Sequence, residues 1–98
     1  MSEENLDELE KYRIQIDAVD QRLLDLLNER TAIVEQIGRV KQERQLAVYE
    51  PKREDQVYAN VLSHNRGPLP SDAVKRIFER IIDEMRNLQK KNMGTGRS

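Results

Sequence analysis

Counting along the chain from Leu6 in alternating intervals of three and four gives Leu6, Leu9, Arg13, Ile16, Asp20, Leu23, Leu27, Arg30, Val34, Ile37 and Lys41. Such intervals keep side chains on one face of an α-helix, so this is a single row. It is apolar except at Arg13, Asp20, Arg30 and Lys41, where charges stand among leucines and isoleucines. Lys and Arg are almost never fully buried unless paired, and Asp20 can neutralise only one of the three cations. A single cation in such a row reads as a side chain snorkelling to water, or as a polar residue that fixes the register of a seam. Three on one row point instead to a water-poor pocket whose surplus positive charge is completed by an anionic ligand. Two guanidiniums and one ammonium suit a small molecule with two carboxylates, because the guanidinium fork matches carboxylate geometry.

Two other apolar faces carry a polar residue. Glu54 shares a face with Val57 and Val61, and Gln89 closes the row Phe78, Ile82, Met85, Gln89. A buried glutamine needs partners for both ends of its amide, and a ligand oxygen can be one of them. Nucleophile chemistry has no support: there is no cysteine, no Ser/His/Asp set, no glycine-rich phosphate loop and no metal-ligand spacing. No cofactor or metal is expected. His64 stands beside a turn signal and is expected in solvent. A pocket built from these groups can still catalyse, by orientation and electrostatics alone.

The elements that position these residues follow from the punctuation of the chain. From Glu3 to Gln45 there is no proline and only one glycine, Gly38, and strong helix formers fill most positions. That reads as one long helix of about 60 Å at 1.5 Å per residue. Pro51 fits the first turn of a second helix running to about His64, which the turn signal Asn65-Arg66-Gly67-Pro68 stops. A third helix carries Val74, Ile77, Phe78, Ile81, Ile82, Met85 and Leu88 at helical spacing, with Ser71 or Asp72 as its cap. The domain is expected to span residues 1–91. Residues 92–98, with Gly94 and Gly96, read as a flexible tail.

With 98 residues, no cysteine and a single histidine, the chain has neither disulfides nor a metal cluster to brace a small core. Oligomerisation is the remaining support. The first helix is too long for two short ones to cover, so a second copy of the chain is expected to cover it in a symmetric pair. The fold class expected is all-α, with three helices per chain in an intertwined homodimer. Seventeen basic and eighteen acidic side chains nearly cancel, which gives nucleic acid no positive field to bind. No apolar run approaches the roughly 18 residues that span a bilayer, and the acidic N-terminus is unlike a secretory signal. Neither nucleic acid nor membrane is an expected partner, and the cytoplasm is the expected location.

The same residues carry a family pattern. Arg13, Asp20, Leu23, Leu24, Leu26, Leu27, Glu29 and Arg30, then Ile37, Gly38 and Lys41, then Glu50, Pro51, Arg53 and Glu54, and finally Gln89, resemble the small helical class of chorismate mutase over about residues 6–90. That resemblance implies conversion of chorismate to prephenate by an intramolecular [3,3] rearrangement, on the way to phenylalanine and tyrosine. It further implies that Arg30 holds the ring carboxylate, assisted by Arg53, and that Arg13 of the neighbouring subunit and Lys41 hold the enolpyruvyl carboxylate. Lys41 and Gln89 would face the ether oxygen, and Glu54 with the backbone at Glu50 would take the ring hydroxyl. Val34, Val48 and Ile82 would pack on the ring. The chain departs from the family pattern twice: Glu50 stands where Asp is frequent, and Met85 stands where some members place a serine that donates to a carboxylate.

A reading from another class is a non-catalytic helical dimerisation or regulatory module associated with an aromatic-pathway enzyme. The cation row argues against it, because a plain seam has no use for three buried charges.

Overall fold

The computed structural model describes residues 2–96, with side-chain surroundings for residues 7–92. Among the described residues the chain is three α-helices without a strand: α1 Ser2–Glu43, α2 Pro51–His64 and α3 Ser71–Gly96. The all-α, one-long-two-shorter expectation therefore holds. Two units can be distinguished, residues 1–33 and residues 34–98.

The first unit is the N-terminal stretch of α1. Much of its apolar row is exposed in the single chain: Leu9, Ile16 and Leu23 all face solvent, as do Tyr12, Ile14, Val19, Leu24 and Leu26 off the row, while Leu27 is half-buried. Arg13 is exposed and Arg30 half-buried. The second unit contains the end of α1 with α2 and α3, and α2 packs against α3. Its buried apolar side chains are Val34, Val74 and Ile82. Gly38 is buried as well, and a Cβ placed there would meet Gln89 Cγ at 3.6 Å, an ordinary packing distance.

The first helix ends two residues before the expected Gln45. Gln45 adopts φ 57°, in the left-handed region. The Leu46 N–H donates to Lys41 O at 2.7 Å, and the Gln45 N–H donates to Gln42 O at 3.3 Å. This pair of bonds is a Schellman motif, in which the chain reverses at a left-handed residue and satisfies the last helical carbonyls. Glycine or asparagine normally occupies that position, and the side chain of glutamine gave no signal for it.

Pro51 opens α2 as expected, because it lacks the N–H that the first turn leaves unbonded. At α3 the first bond runs from Val74 N–H to Pro70 O at 3.0 Å. Pro70 thus stands where Ser71 or Asp72 was expected as the cap, and Asp72 lies inside the first turn, paired with Arg76 at 3.4 Å. Between α2 and α3, Gly67 with φ 72° accepts a turn that its N–H closes on Asn65 Oδ1 at 3.0 Å. The helical backbone continues through residues 92–96, where the sequence suggested a flexible tail; Arg97 and Ser98 lie outside the described residues.

Relieving the left-handed strain should stabilise the chain. Gln45→Gly is expected to raise unfolding free energy by up to about 1 kcal/mol, since a non-glycine residue in this region costs of that order. Gln45→Val should lower it by a similar amount. Urea denaturation followed by circular dichroism measures both, and a lower midpoint for the glycine variant would contradict the assignment.

Candidate active site

Two polar side chains are buried among the described residues, Lys41 at 7% and Gln89 at 8% exposure. They touch. Lys41 Nζ donates to Gln89 Oε1 at 3.5 Å, joining the last turn of α1 to α3. Gln89 comes this close because Gly38, one turn before Lys41, presents no side chain to it.

The Schellman turn then decides what else reaches the ammonium. By reversing the chain after Lys41 it brings back Val48, whose carbonyl accepts from Nζ at 2.9 Å, and Glu50, whose Oε1 pairs with Nζ at 2.6 Å. A lysine has three N–H donors, and here each has an acceptor. The Glu50 carboxylate is consequently turned to Lys41 and makes no cap for α2, although Glu50 occupies the N-cap position. Its side chain is half exposed, so the pair is part solvent-screened. The sequence reading gave Glu50 a backbone role only.

Glu54, in the first turn of α2, is held by a residue that reading missed. Arg86 of α3 places Nη2 at 2.6 Å from Glu54 Oε1 and 2.5 Å from Oε2, with Nε at 3.1 Å from Oε2. Its guanidinium carbon lies 5.0 Å from the centre of the Tyr49 ring, and Nη1 reaches Asp83 Oδ1 at 3.5 Å. The hydrogen bonds to Glu54 raise the Arg86 pKa above its ordinary value, against the opposing effect of burial. On the neighbouring turn Tyr58 is also raised, first by burial and then by Glu79, Glu54 and Asp83. A signal for Arg86 did exist: Ile82, Arg86 and Gln89 are spaced by four and three, the interval used to read the first helix.

The remaining expected residues divide between the units. Val34 and Ile82 are buried in the second unit, and Val48 and Met85 are half-buried there. Arg53 is exposed, with Nη1 donating to Gln56 Oε1 at 3.4 Å. Arg13 and Arg30 belong to the first unit. His64 is exposed as expected, its Nδ1 2.7 Å from Asn60 O. No group of three or more potential metal ligands occurs among the described residues. No described helix is long and apolar enough to cross a membrane.

The second unit thus brings a buried lysine into contact with a buried glutamine, with the Glu50 carboxylate paired to the same ammonium. Comparison with known proteins decides the family: the model for chorismate mutase type II matches residues 12–90. The chain belongs to the chorismate mutase type II family. A bifunctional chorismate mutase/prephenate dehydratase of Aquifex aeolicus is 33% identical over 90 residues, 88% of this chain and 25% of that protein. The corresponding bifunctional protein of Neisseria gonorrhoeae is 40% identical over 73 residues, 74% of this chain and 20% of that protein. The chain thus spans a quarter or less of the length of these curated relatives. A solved chorismate mutase of Thermus thermophilus (form II) superposes with a TM-score of 0.83 at 32% identity, over 85% of this chain and 94% of that one.

The Lys41–Glu50 pair leads to a measurable expectation. Glu50→Gln should cost less than about 1 kcal/mol of stability, because the carboxylate is half exposed. It should also tighten the binding of a small dicarboxylate such as malate, since Lys41 then lacks an anionic neighbour. Denaturation and calorimetric titration test the two parts separately.

Proposed function

We propose that the chain is a chorismate mutase, converting chorismate to prephenate by an intramolecular [3,3] rearrangement in phenylalanine and tyrosine biosynthesis. The observation that carries this reading is the contact of buried Lys41 with buried Gln89 in a member of the chorismate mutase type II family. The reaction needs no proton transfer and no covalent intermediate. What it needs is a folded substrate with its reacting carbons about 3 to 3.5 Å apart, and donors that grip the ether oxygen as its bond to the ring breaks.

Each residue then has a part. Arg30, assisted by Arg53, binds the ring carboxylate, while Lys41 and Arg13 from a second subunit bind the enolpyruvyl carboxylate; bidentate arginine contacts restrict the substrate to its reactive conformer. Lys41 and Gln89 donate to the ether oxygen, whose negative charge grows in the transition state, so their contribution is larger there than in the ground state. With Oε1 directed to Lys41, the Gln89 amide NH2 is the end offered to that oxygen. Glu54 accepts the ring hydroxyl, aided by the backbone at Glu50. Val34, Val48 and Ile82 pack on the ring, and Met85 borders it without the serine hydroxyl of some relatives. Chorismate takes over the two Lys41 N–H groups now given to the Glu50 carboxylate and the Val48 carbonyl. No cofactor enters this scheme.

The same proposal includes an intertwined homodimer in the cytoplasm. Its support is the row of solvent-facing apolar side chains on the first unit, including Leu9, Ile16 and Leu23, which a second copy would bury.

Loss of chorismate absorbance in the presence of purified protein tests the activity directly. Lys41→Ala and Arg30→Ala should each lose at least about a hundredfold in kcat/KM, the first by removing a transition-state donor and the second by removing the clamp that holds the substrate in its reactive geometry. Helicity should be nearly unchanged. Wild-type turnover in either variant would refute its assigned role.

Subunit sharing has its own test. If Arg13 comes from one chain and Arg30 from the other, Arg13→Ala and Arg30→Ala complement each other in a mixed dimer, where one pocket carries both substitutions and the other neither. With random exchange roughly a quarter of all pockets become intact. Co-refolding equal amounts should therefore restore activity well above that of either variant refolded alone. No recovery in verified heterodimers would place both arginines in one subunit's pocket.

A further inference from the structure

Glu54 presents an electrostatic difficulty for the reading just given, and Arg86 resolves it. A carboxylate that accepts the substrate hydroxyl stands beside a dianion, and its like charge repels both substrate carboxylates. Its side chain is only 19% exposed, so water screens little of that repulsion. Arg86 supplies an opposite charge through a fork on both Glu54 oxygens, from a guanidinium itself 24% exposed. The fork also fixes orientation. Three contacts from two nitrogens leave the carboxylate little rotational freedom, and of its roughly four acceptor sites at least one stays open to a hydroxyl. Tyr49, stacked 5.0 Å from the guanidinium carbon, and Asp83, at 3.5 Å from Nη1, hold the arginine from two further directions.

We propose that Arg86 is a positioning residue of the reaction: it neutralises Glu54 and aims its carboxylate at the substrate hydroxyl without touching the substrate itself. This rests on the reading of Glu54 as the hydroxyl acceptor. A lysine in its place would keep the charge and lose the fork, since an ammonium is a point donor and not a planar pair. Arg86 thereby separates the two contributions, charge and aim, at one position.

The test is a double-mutant cycle on the full chain, read as kcat and KM with chorismate and accompanied by circular dichroism and thermal melting. Arg86→Ala is expected to lower kcat/KM on the order of tenfold to a hundredfold, the scale of a misplaced catalytic contact. The same substitution in a Glu54→Ala background should cost little or nothing further. Arg86→Lys should restore KM more than kcat, because charge returns and orientation does not. Unchanged kinetics in Arg86→Ala, or an equal loss in the Glu54→Ala background, overturns the proposal and leaves the role of Glu54 standing. Wild-type activity in Glu54→Ala overturns that role and the proposal with it. Should Arg86→Ala fail to fold, Arg86→Lys decides alone: a several-fold loss of kcat that vanishes in the Glu54→Ala background supports the proposal, and no loss, or one that persists there, overturns it.

Discussion

A buried ammonium must be surrounded by acceptors, and the second unit is arranged around that requirement at Lys41. An unpaired charge at 7% exposure would cost several kcal/mol. Three elements provide its partners: α3 through Gln89, the returning loop through the Val48 carbonyl, and the start of α2 through Glu50. Each partner depends on a local backbone feature. Gly38 allows Gln89 to approach, the left-handed Gln45 turns the loop back, and Pro51 starts α2 immediately after Glu50. The lysine held by these protein oxygens is the same lysine proposed to grip the substrate, and in that proposal binding exchanges one set of acceptors for another.

A second charge centre stands beside the first with the opposite logic. At Lys41 a cation is held by acceptors, whereas at Glu54 an anion is held by donors. In the proposed reaction, this opposite pairing is what would let a pocket for a dianion contain carboxylates. Glu50 is half exposed and can turn to water when a ligand arrives, while Glu54 is mostly enclosed and clamped. One acid is suited to leave and the other to stay.

Much of this was legible in the chain itself, because periodicity exposes a polar residue on an apolar row. Lys41, Gln89 and Glu54 were found that way, and proline and the Asn65–Pro68 turn marked the starts and stops of the helices. The unread features depend on tertiary geometry. The Schellman turn falls on Gln45, whose side chain carries no preference for a left-handed conformation, so neither the end of α1 nor the reach of Glu50 to Lys41 could be inferred. Arg86 sits one residue past Met85, outside the row being followed, and its partner lies 32 positions away. The leucines and isoleucines of the first unit illustrate the reverse case: their spacing reads as a face to be buried, and in the single chain they are exposed.

The spacing of these pairs along the chain also bears on how the molecule forms. Lys41 and Gln89 are separated by 48 positions, and Glu54 and Arg86 by 32, whereas the helices are built from bonds four residues apart. Local helical contacts form in about a microsecond or less, but long-range pairs must first close a loop against its entropy. The polar framework is accordingly expected to be among the last parts to assemble, after helices whose own bonds do not require it. Far-ultraviolet ellipticity reports the local bonds and not the long-range pairs, so by itself it is a poor measure of whether the polar framework has formed.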